Sequence, residues 1–224
     1  MPAYNEEQGI AEAVRDVERA VLAAVPGAEL LVVDDGSRNG TGRILDGLAA
    51  ANAHVRVLHK DNGGHGSAVI AGLDEARGEY VLLVDSDRQI PIEAFGALWE
   101  AARRRDGAFG VRVKRRDPRH RLILTAIVRF AVNTIFGAQL RDSNCPFKVF
   151  RRRIWEQARP LIPSETLIPS IFLALHMKRR GMDVVEIEAP HRMRETGQAT
   201  LRYWRLGRFC LRAFAQLVAF RLRV

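Results

Sequence analysis

Hydrophobic and polar positions change period repeatedly along the first part of the chain, and the changes mark out its elements. Ile10, Val14, Val17 and Val21 recur at helical spacing and predict an amphipathic helix over Glu6–Ala24. Leu30–Val33 is a short, continuous apolar run that predicts a strand ending in Asp34-Asp35-Gly36-Ser37. Thr41–Ala51 reads as a second helix and Val55–Leu58 as a second strand. Gly63-Gly64-His65-Gly66 opens a third helix through about Arg77. Tyr80–Val84 is a third strand, which delivers Asp85 at its carboxyl end. Pro91 suits the first position of a helix reaching about Arg105, and Phe109–Val113 is again a strand.

Strand–helix alternation of this kind implies an α/β fold of Rossmann-like type, a mostly parallel sheet flanked by helices. In open α/β sheets ligands bind beyond the carboxyl ends of the strands. Asp34-Asp35, the Gly63–Gly66 loop and Asp85–Gln89 all fall at such ends. The second half is less regular. Residues from about Arg121 to Phe136 and Leu167–Arg180 read as helices, with strands at Phe147–Phe150 and near Val184–Ile187. Arg202, Arg205, Arg208 and Arg212 recur along a final helix, while Trp204, Leu211, Phe214, Leu217 and Val218 supply apolar surface away from that stripe. No internal repeat or low-complexity linker interrupts the chain. The economical division is one domain over residues 1–200, followed by a basic amphipathic helix over 201–224.

Composition changes this picture in two ways. The chain carries a formal charge of +9, concentrated at Arg103–Arg105, Arg112–Arg121, Lys148–Arg153 and the acid-free segment after Glu195. That asymmetry predicts an anionic partner for the second half. No stretch reaches the roughly 18 consecutive apolar residues of a membrane span. Leu122–Val128 and Ala213–Phe220 are short and bounded by arginine. Glu6 and Glu7 fall where a secretory leader would need apolar residues, so no leader is expected. The two cysteines, Cys145 and Cys210, are too far apart in sequence to read as a metal pair or a disulfide framework.

The sharpest chemical signal is Asp85-Ser86-Asp87-Arg88-Gln89. Two carboxylates pointing into one cleft repel unless a cation lies between them, and Mg2+ or Mn2+ with oxygen ligands also holds a diphosphate. Asp34-Asp35 places a second acidic pair on the same edge, where carboxylates can accept hydrogen bonds from a nucleobase or ribose, or simply close a turn. Gly63–Gly66 could let a diphosphate approach the backbone, or serve only as a flexible helix entry.

Taken in order, Pro2-Ala3-Tyr4-Asn5-Glu6-Glu7, Val32–Ser37, Gly63–Ala68 and Val84–Gln89 resemble the successive signatures of family 2 glycosyltransferases with a GT-A fold. Arg141-Asp142-Ser143-Asn144-Cys145-Pro146-Phe147-Lys148 and Arg194-Glu195-Thr196-Gly197 resemble the branch that makes polyprenyl-phosphate sugars, including dolichyl- and undecaprenyl-phosphate sugar synthases. The resemblance runs from Pro2 to about Thr200.

The resemblance implies an inverting transferase that takes a UDP- or GDP-linked sugar and passes it to a polyprenyl phosphate, with Mg2+ or Mn2+ as cofactor. Pro2, Tyr4, Glu6, Val33 and Asp35 would form the nucleoside pocket. Asp85, Asp87 and Gln89 would hold the metal, with Ser86 beside the donor diphosphate. Arg112 would face phosphate, Arg194 would clamp the donor and acceptor phosphates, and Asp142 would orient a sugar hydroxyl or assist the acceptor. Asp87, Asp142 and Arg194 are thus the expected catalytic residues, with Arg121 and Arg129 as further contacts for a lipid phosphate. An acceptor phosphate is already anionic; a hydroxyl acceptor on a glycan would instead need Asp142 as base.

Two departures accompany the resemblance. Relatives carry an apolar strand just before the Pro-x-Tyr-Asn-Glu motif, where Met1 stands here, so the sheet is expected to lack it. Many also carry transmembrane helices toward the C-terminus. The arginine-rich final helix would replace them as an anchor to the anionic inner face of the cell membrane, making the protein cytoplasmic and peripheral. Nucleic acid is not expected as a partner, because a phosphate-binding module leaves the acidic strand ends unexplained and no aromatic RNA platform is present. A nucleotidyltransferase would need a glycine-rich N-terminal phosphate loop with a basic residue, which the sequence lacks.

Overall fold

The computed structural model describes residues 1–113, 119–192 and 203–222, with side chains at all of these except 119–124 and 203–211. In chain order the elements are β1 (Pro2–Ala3), α1 (Ile10–Val17), β2 (Leu30–Asp34), α2 (Thr41–Ala51), β3 (Val55–His59), α3 (His65–Asp74) and β4 (Tyr80–Leu83). They continue with α4 (Phe95–Ala102), β5 (Gly107–Val113), α5 (Arg119–Phe136), β6 (Lys148–Arg151), α6 (Arg152–Ala158), α7 (Pro169–Arg179), β7 (Val184–Pro190) and α8 (Tyr203–Arg221).

The strands pair as two sheets. One is wholly parallel, in the order β1-β2-β3, with Pro2 opposite Val33 and Leu30 opposite Val55. The other runs β4-β6-β5-β7, with β5 and β7 parallel and β6 antiparallel to both of its neighbours. The expected α/β architecture is present, with a reversed strand inside the second sheet. Apolar residues pack on both faces, as strands covered on two sides require. Ile10, Val14, Leu45, Phe95 and Leu98 lie in one buried cluster, and Val69, Leu73, Phe150, Trp155 and Phe172 in the other.

Helix α8 joins the second cluster and does not stand apart. Ala213, Leu217 and Phe220 are buried, and the Phe220 ring sits 4.7 Å from that of Phe172. Its other face leaves Phe214 and Val218 exposed, beside Leu222 just past its end. Among the described residues no helix is long and apolar enough to cross a membrane.

Several boundaries differ from the sequence reading. The first helix begins at Ile10 and not at Glu6, because Glu7 turns away to accept a hydrogen bond from the Gly40 amide at 2.8 Å. It then widens into a π-helical turn over Glu18–Leu22. Pro91 precedes a 3-10 turn at Ile92–Ala94, and the α-helix proper starts at Phe95. Helix α6 was not predicted, and only its first two residues fall in the basic run Lys148–Arg153. Its apolar face is short, with Ile154, Trp155 and Ala158 as its buried positions.

Strand β1 covers only the end of β2, and a slot of about 720 Å3 separates β2 at Leu30 and Leu31 from β4 at Tyr80–Leu83. Val17, Val21, Val69, Leu73, Phe95 and Trp99 line it. Met1 closes one end, its nitrogen donating to the Leu31 carbonyl at 2.9 Å.

Candidate functional site

Parallel pairing places the Pro2–Glu7 segment beside the loop that follows β2. Asn5 adopts a left-handed conformation at φ 54°, which a short amide side chain tolerates. Its Oδ1 accepts from the Arg38 amide at 2.8 Å, and its own amide donates to Ser37 Oγ at 2.9 Å. Gly36, at φ 71°, passes so close that an added Cβ would lie 2.7 Å from the Asn62 nitrogen. The two segments thereby form one layer, with Pro2, Glu6 and Val33 buried and Tyr4 half-buried.

Both acids of the Asp34-Asp35 pair are engaged. Asp35 Oδ1 accepts from Lys60 Nζ at 2.6 Å and from the Gly63 amide at 3.0 Å, and Oδ2 accepts from the Gly64 amide at 2.7 Å. The amides of Gly63 and Gly64 are therefore turned toward Asp35, and the glycine loop is pinned across the ends of β2 and β3. Asp34 accepts from the Ser37 amide at 3.1 Å and meets His59 Nδ1 at 3.0 Å. Hydrogen bonds that its ring donates to Asp46 and then to Asp34 hold the His59 imidazole above its usual pKa.

The third acidic motif is different. Val84, Asp85, Asp87, Gln89, Ile90, Arg112, Pro146, Phe147 and His191 line one small pocket of about 30 Å3. That is room for an ion or a water and not for a sugar. Among the described residues no donor reaches Asp85 Oδ1, although this oxygen is buried. Asp87 Oδ1 accepts from the Gln89 amide at 3.1 Å, closing the turn. Arg88, at φ 56°, directs its guanidinium to Asp16 at 2.7 Å, away from the pocket. Ser86 is buried between the two carboxylates. Gln89 is bound to the strap after β7, its carbonyl accepting from the Arg192 amide at 2.8 Å.

Opposite these carboxylates stands Arg112, on β5. Its Nε and Nη2 donate to the two oxygens of Asp142 at 2.7 and 2.8 Å, and its amide adds a contact at 3.3 Å. Burial raises the pKa of Asp142, but the hydrogen bonds and charge of Arg112, helped by Lys148, win and hold it below the ordinary range. Lys148 is fully buried at the start of β6 and its pKa falls to about 8, burial outweighing the pull of nearby anions. Cys145 is a free, buried thiol, pushed by burial to about 11.

The structure thus brings Asp85, Asp87, Gln89, Arg112 and Asp142 to one cleft, and Tyr4, Glu6, Val33 and Asp35 to an adjoining layer. Arg194 lies outside the described residues, as do the side chains of Arg121, Trp204, Arg205, Arg208 and Leu211; Arg202 lies outside them too. Arg129 is exposed on α5. Lys60, Lys148 and His191 were not foreseen as parts of the site. Lys148 alone left a trace, as a cation inside the apolar run Phe147–Phe150. No group of three or more His, Cys, Asp or Glu that could hold a metal occurs among the described residues. Two carboxylates and an amide instead suit a hard cation that completes its shell with substrate phosphates and water.

Comparison with known proteins gives the following. Residues 1–157 match the model of glycosyl transferase family 2. The chain is 32% identical over 209 residues to the undecaprenyl-phosphate 4-deoxy-4-formamido-L-arabinose transferase of Pseudomonas aeruginosa (strain LESB58), covering 92% of this chain and 60% of that protein. The same enzyme of Pseudomonas fluorescens (strain SBW25) is 31% identical over 210 residues, with the same coverage. The chain therefore spans about 60% of the length of these relatives. Among solved structures, glucosyl-3-phosphoglycerate synthase from Mycobacterium tuberculosis, in complex with Mn2+, UDP and glucosyl-3-phosphoglycerate, superposes with TM-score 0.69 at 20% identity, over 98% of this chain and 77% of that one. S. aureus TarS superposes with TM-score 0.58 at 20% identity, over 88% of this chain and 57% of that one. At these identities the structures establish the fold.

The geometry around Asp35 has a measurable consequence. Asp35→Ala strands the Gly63 and Gly64 amides and leaves the Lys60 ammonium only its bond to the Asp61 carbonyl, and is expected to cost about 1–3 kcal/mol of stability. Chemical denaturation measures it; unchanged stability would show that the carboxylate does not pin the loop.

Proposed function

Since the chain belongs to glycosyl transferase family 2, we propose that it transfers a sugar from a nucleotide-diphosphate sugar to a polyprenyl phosphate, inverting the anomeric centre. The observation that carries this reading is the unsatisfied buried oxygen of Asp85, set beside Asp87 and Gln89 and across from Arg112. A buried carboxylate oxygen without a donor is costly, and a cation in the pocket, itself bound by a diphosphate in the adjoining cleft, would remove the cost. Asp85, Asp87 and Gln89 would hold Mg2+ or Mn2+, which when bound stabilises charge on the departing diphosphate. Arg112 adds a positive group on the opposite wall, and Arg194 is proposed to close over the phosphates. The layer of Pro2, Tyr4, Glu6, Val33 and Asp35 would receive the nucleoside. A phosphate oxygen of the acceptor attacks the anomeric carbon while its bond to the diphosphate breaks, the electron pair leaving with the nucleoside diphosphate.

The state of Asp142 supports an anionic acceptor over a hydroxyl. Both its oxygens are occupied by Arg112 and its pKa is held down, so it is a poor proton acceptor. Its proposed part is to hold Arg112. The sequence relatives act on undecaprenyl phosphate, by name. UDP-linked donors come first for testing, because the structural neighbour was solved with UDP; GDP-linked donors come next.

A lipid-linked acceptor places the reaction at the anionic inner face of the cell membrane. The exposed Phe214, Val218 and Leu222 fit insertion at the acyl boundary, with Arg212 and Arg221 exposed beside them.

A panel of nucleotide sugars assayed with undecaprenyl phosphate tests the reading. Release of nucleoside diphosphate with formation of lipid-linked sugar is expected, and release of pyrophosphate would mark a nucleotidyltransferase. Asp87→Ala should lower kcat ~10²-fold or more while leaving the unfolding midpoint in place; full activity of that variant in excess chelator would defeat the metal assignment. Replacing Phe214 and Val218 by Asp should abolish co-flotation with anionic liposomes. Unchanged flotation would remove α8 as the anchor.

A further inference from the structure

Lys148 is a buried cation whose hydrogen-bonding partners are all uncharged. It sits on β6, paired with Leu83 of β4 on one side and Phe109 of β5 on the other, and is wholly excluded from solvent. Its Nζ donates to the Ser143 carbonyl at 3.2 Å, to the Cys145 carbonyl and to Ser170 Oγ at 2.7 Å, and lies 5.3 Å from the Phe109 ring centre. Two of these acceptors belong to the turn that begins at Asp142, whose carbonyl accepts from the Cys145 amide at 3.3 Å. The third is on α7. A methionine would fill the same space without the cost of burying a charge, so packing alone does not account for a lysine here.

We propose that Lys148 is a positioning residue: its ammonium ties the Asp142–Pro146 turn to β6 and α7, and so fixes the Asp142 carboxylate that aims Arg112 into the cleft. The chain of contacts is continuous, from Ser170 through Lys148 and the turn to Asp142, then to Arg112 opposite Asp85. This rests on the reading of that cleft as the donor-phosphate site, but the order it imposes on Arg112 can be measured without turnover.

The test uses the full chain and two readouts. The first is the Arg112 Nε–H resonance, held by Asp142 and assigned through Arg112→Lys. It is expected to be slow to exchange in the parent protein and lost or broadened in Lys148→Met. The second is a double-mutant cycle on kcat. Lys148→Met alone should lower kcat by about 10²-fold, as a displaced phosphate contact does, and should cost little more in an Arg112→Ala background. If Lys148→Met does not fold, Ser170→Ala and Ser170→Val, which remove one acceptor of the ammonium, decide by the same readouts with a smaller change of the same kind. A sharp, protected Arg112 signal in the folded variants, or kcat losses that multiply independently, would overturn the proposal. A parent protein with no transfer activity but with the Arg112 signal dependent on Lys148 would sink the functional reading and leave this inference standing.

Discussion

Parallel pairing is the constraint on which the rest of the structure depends. Strands β1, β2 and β3 point the same way, so the segments leaving their carboxyl ends must collect on one edge. Backbone hydrogen bonds fix that convergence before any side chain contributes. Everything chemically distinctive then follows from what stands within a few residues past each strand: Tyr4 and Glu6 after β1, Asp35 after β2, Lys60 and the glycine loop after β3. Strand β4 extends the pattern in the second sheet, delivering Asp85 and Asp87. The pairing of β5 with β7 brings Arg112 and the His191-Arg192 strap to the same side.

Within this edge the acids divide by what satisfies them. Asp35 has three donors and organises a loop. Asp142 has a bidentate guanidinium and organises a cation. Asp85 keeps a buried oxygen that no described group reaches. Folded proteins rarely leave such an oxygen unpaired, and the contrast with its satisfied neighbours is what makes Asp85 the proposed ligand position. The same contrast divides the arginines: Arg88 is tied back to Asp16 on the outside of α1, whereas Arg112 faces the pocket.

Much of this was legible in the sequence, and the reasons are specific. Continuous apolar runs ending in acid marked β2 and β4 with their motifs, because buried parallel strands need such runs. Helix α2 was placed to the residue by its own periodicity. The start of α1 was missed because Glu7 is used by Gly40, a partner thirty-three residues away that no local pattern reveals. Helix α6 was missed because its basic surface hides a short apolar face. The reversed direction of β6 is equally non-local, since strand polarity depends on the path of the intervening chain. Asp35 and Asp142 were found by type and place, but their partners Lys60 and Arg112 are what define their work, and pairing across the fold cannot be read from spacing.

The slot between β2 and β4 also decides how the two sheets are joined. Backbone ladders run unbroken within β1-β2-β3 and within β4-β6-β5-β7, but across the slot the two groups meet through helices and side chains. One buried cluster joins Leu30, Val32 and Val55 of the first sheet to Ala108 and Val149 of the second. Asp35 and the glycine loop stand on the first sheet's side, and Arg112 and Asp142 on the second's. An occupant of the cleft that touches both walls would therefore be gripped by both sheets, adding polar ties to a junction that is otherwise apolar.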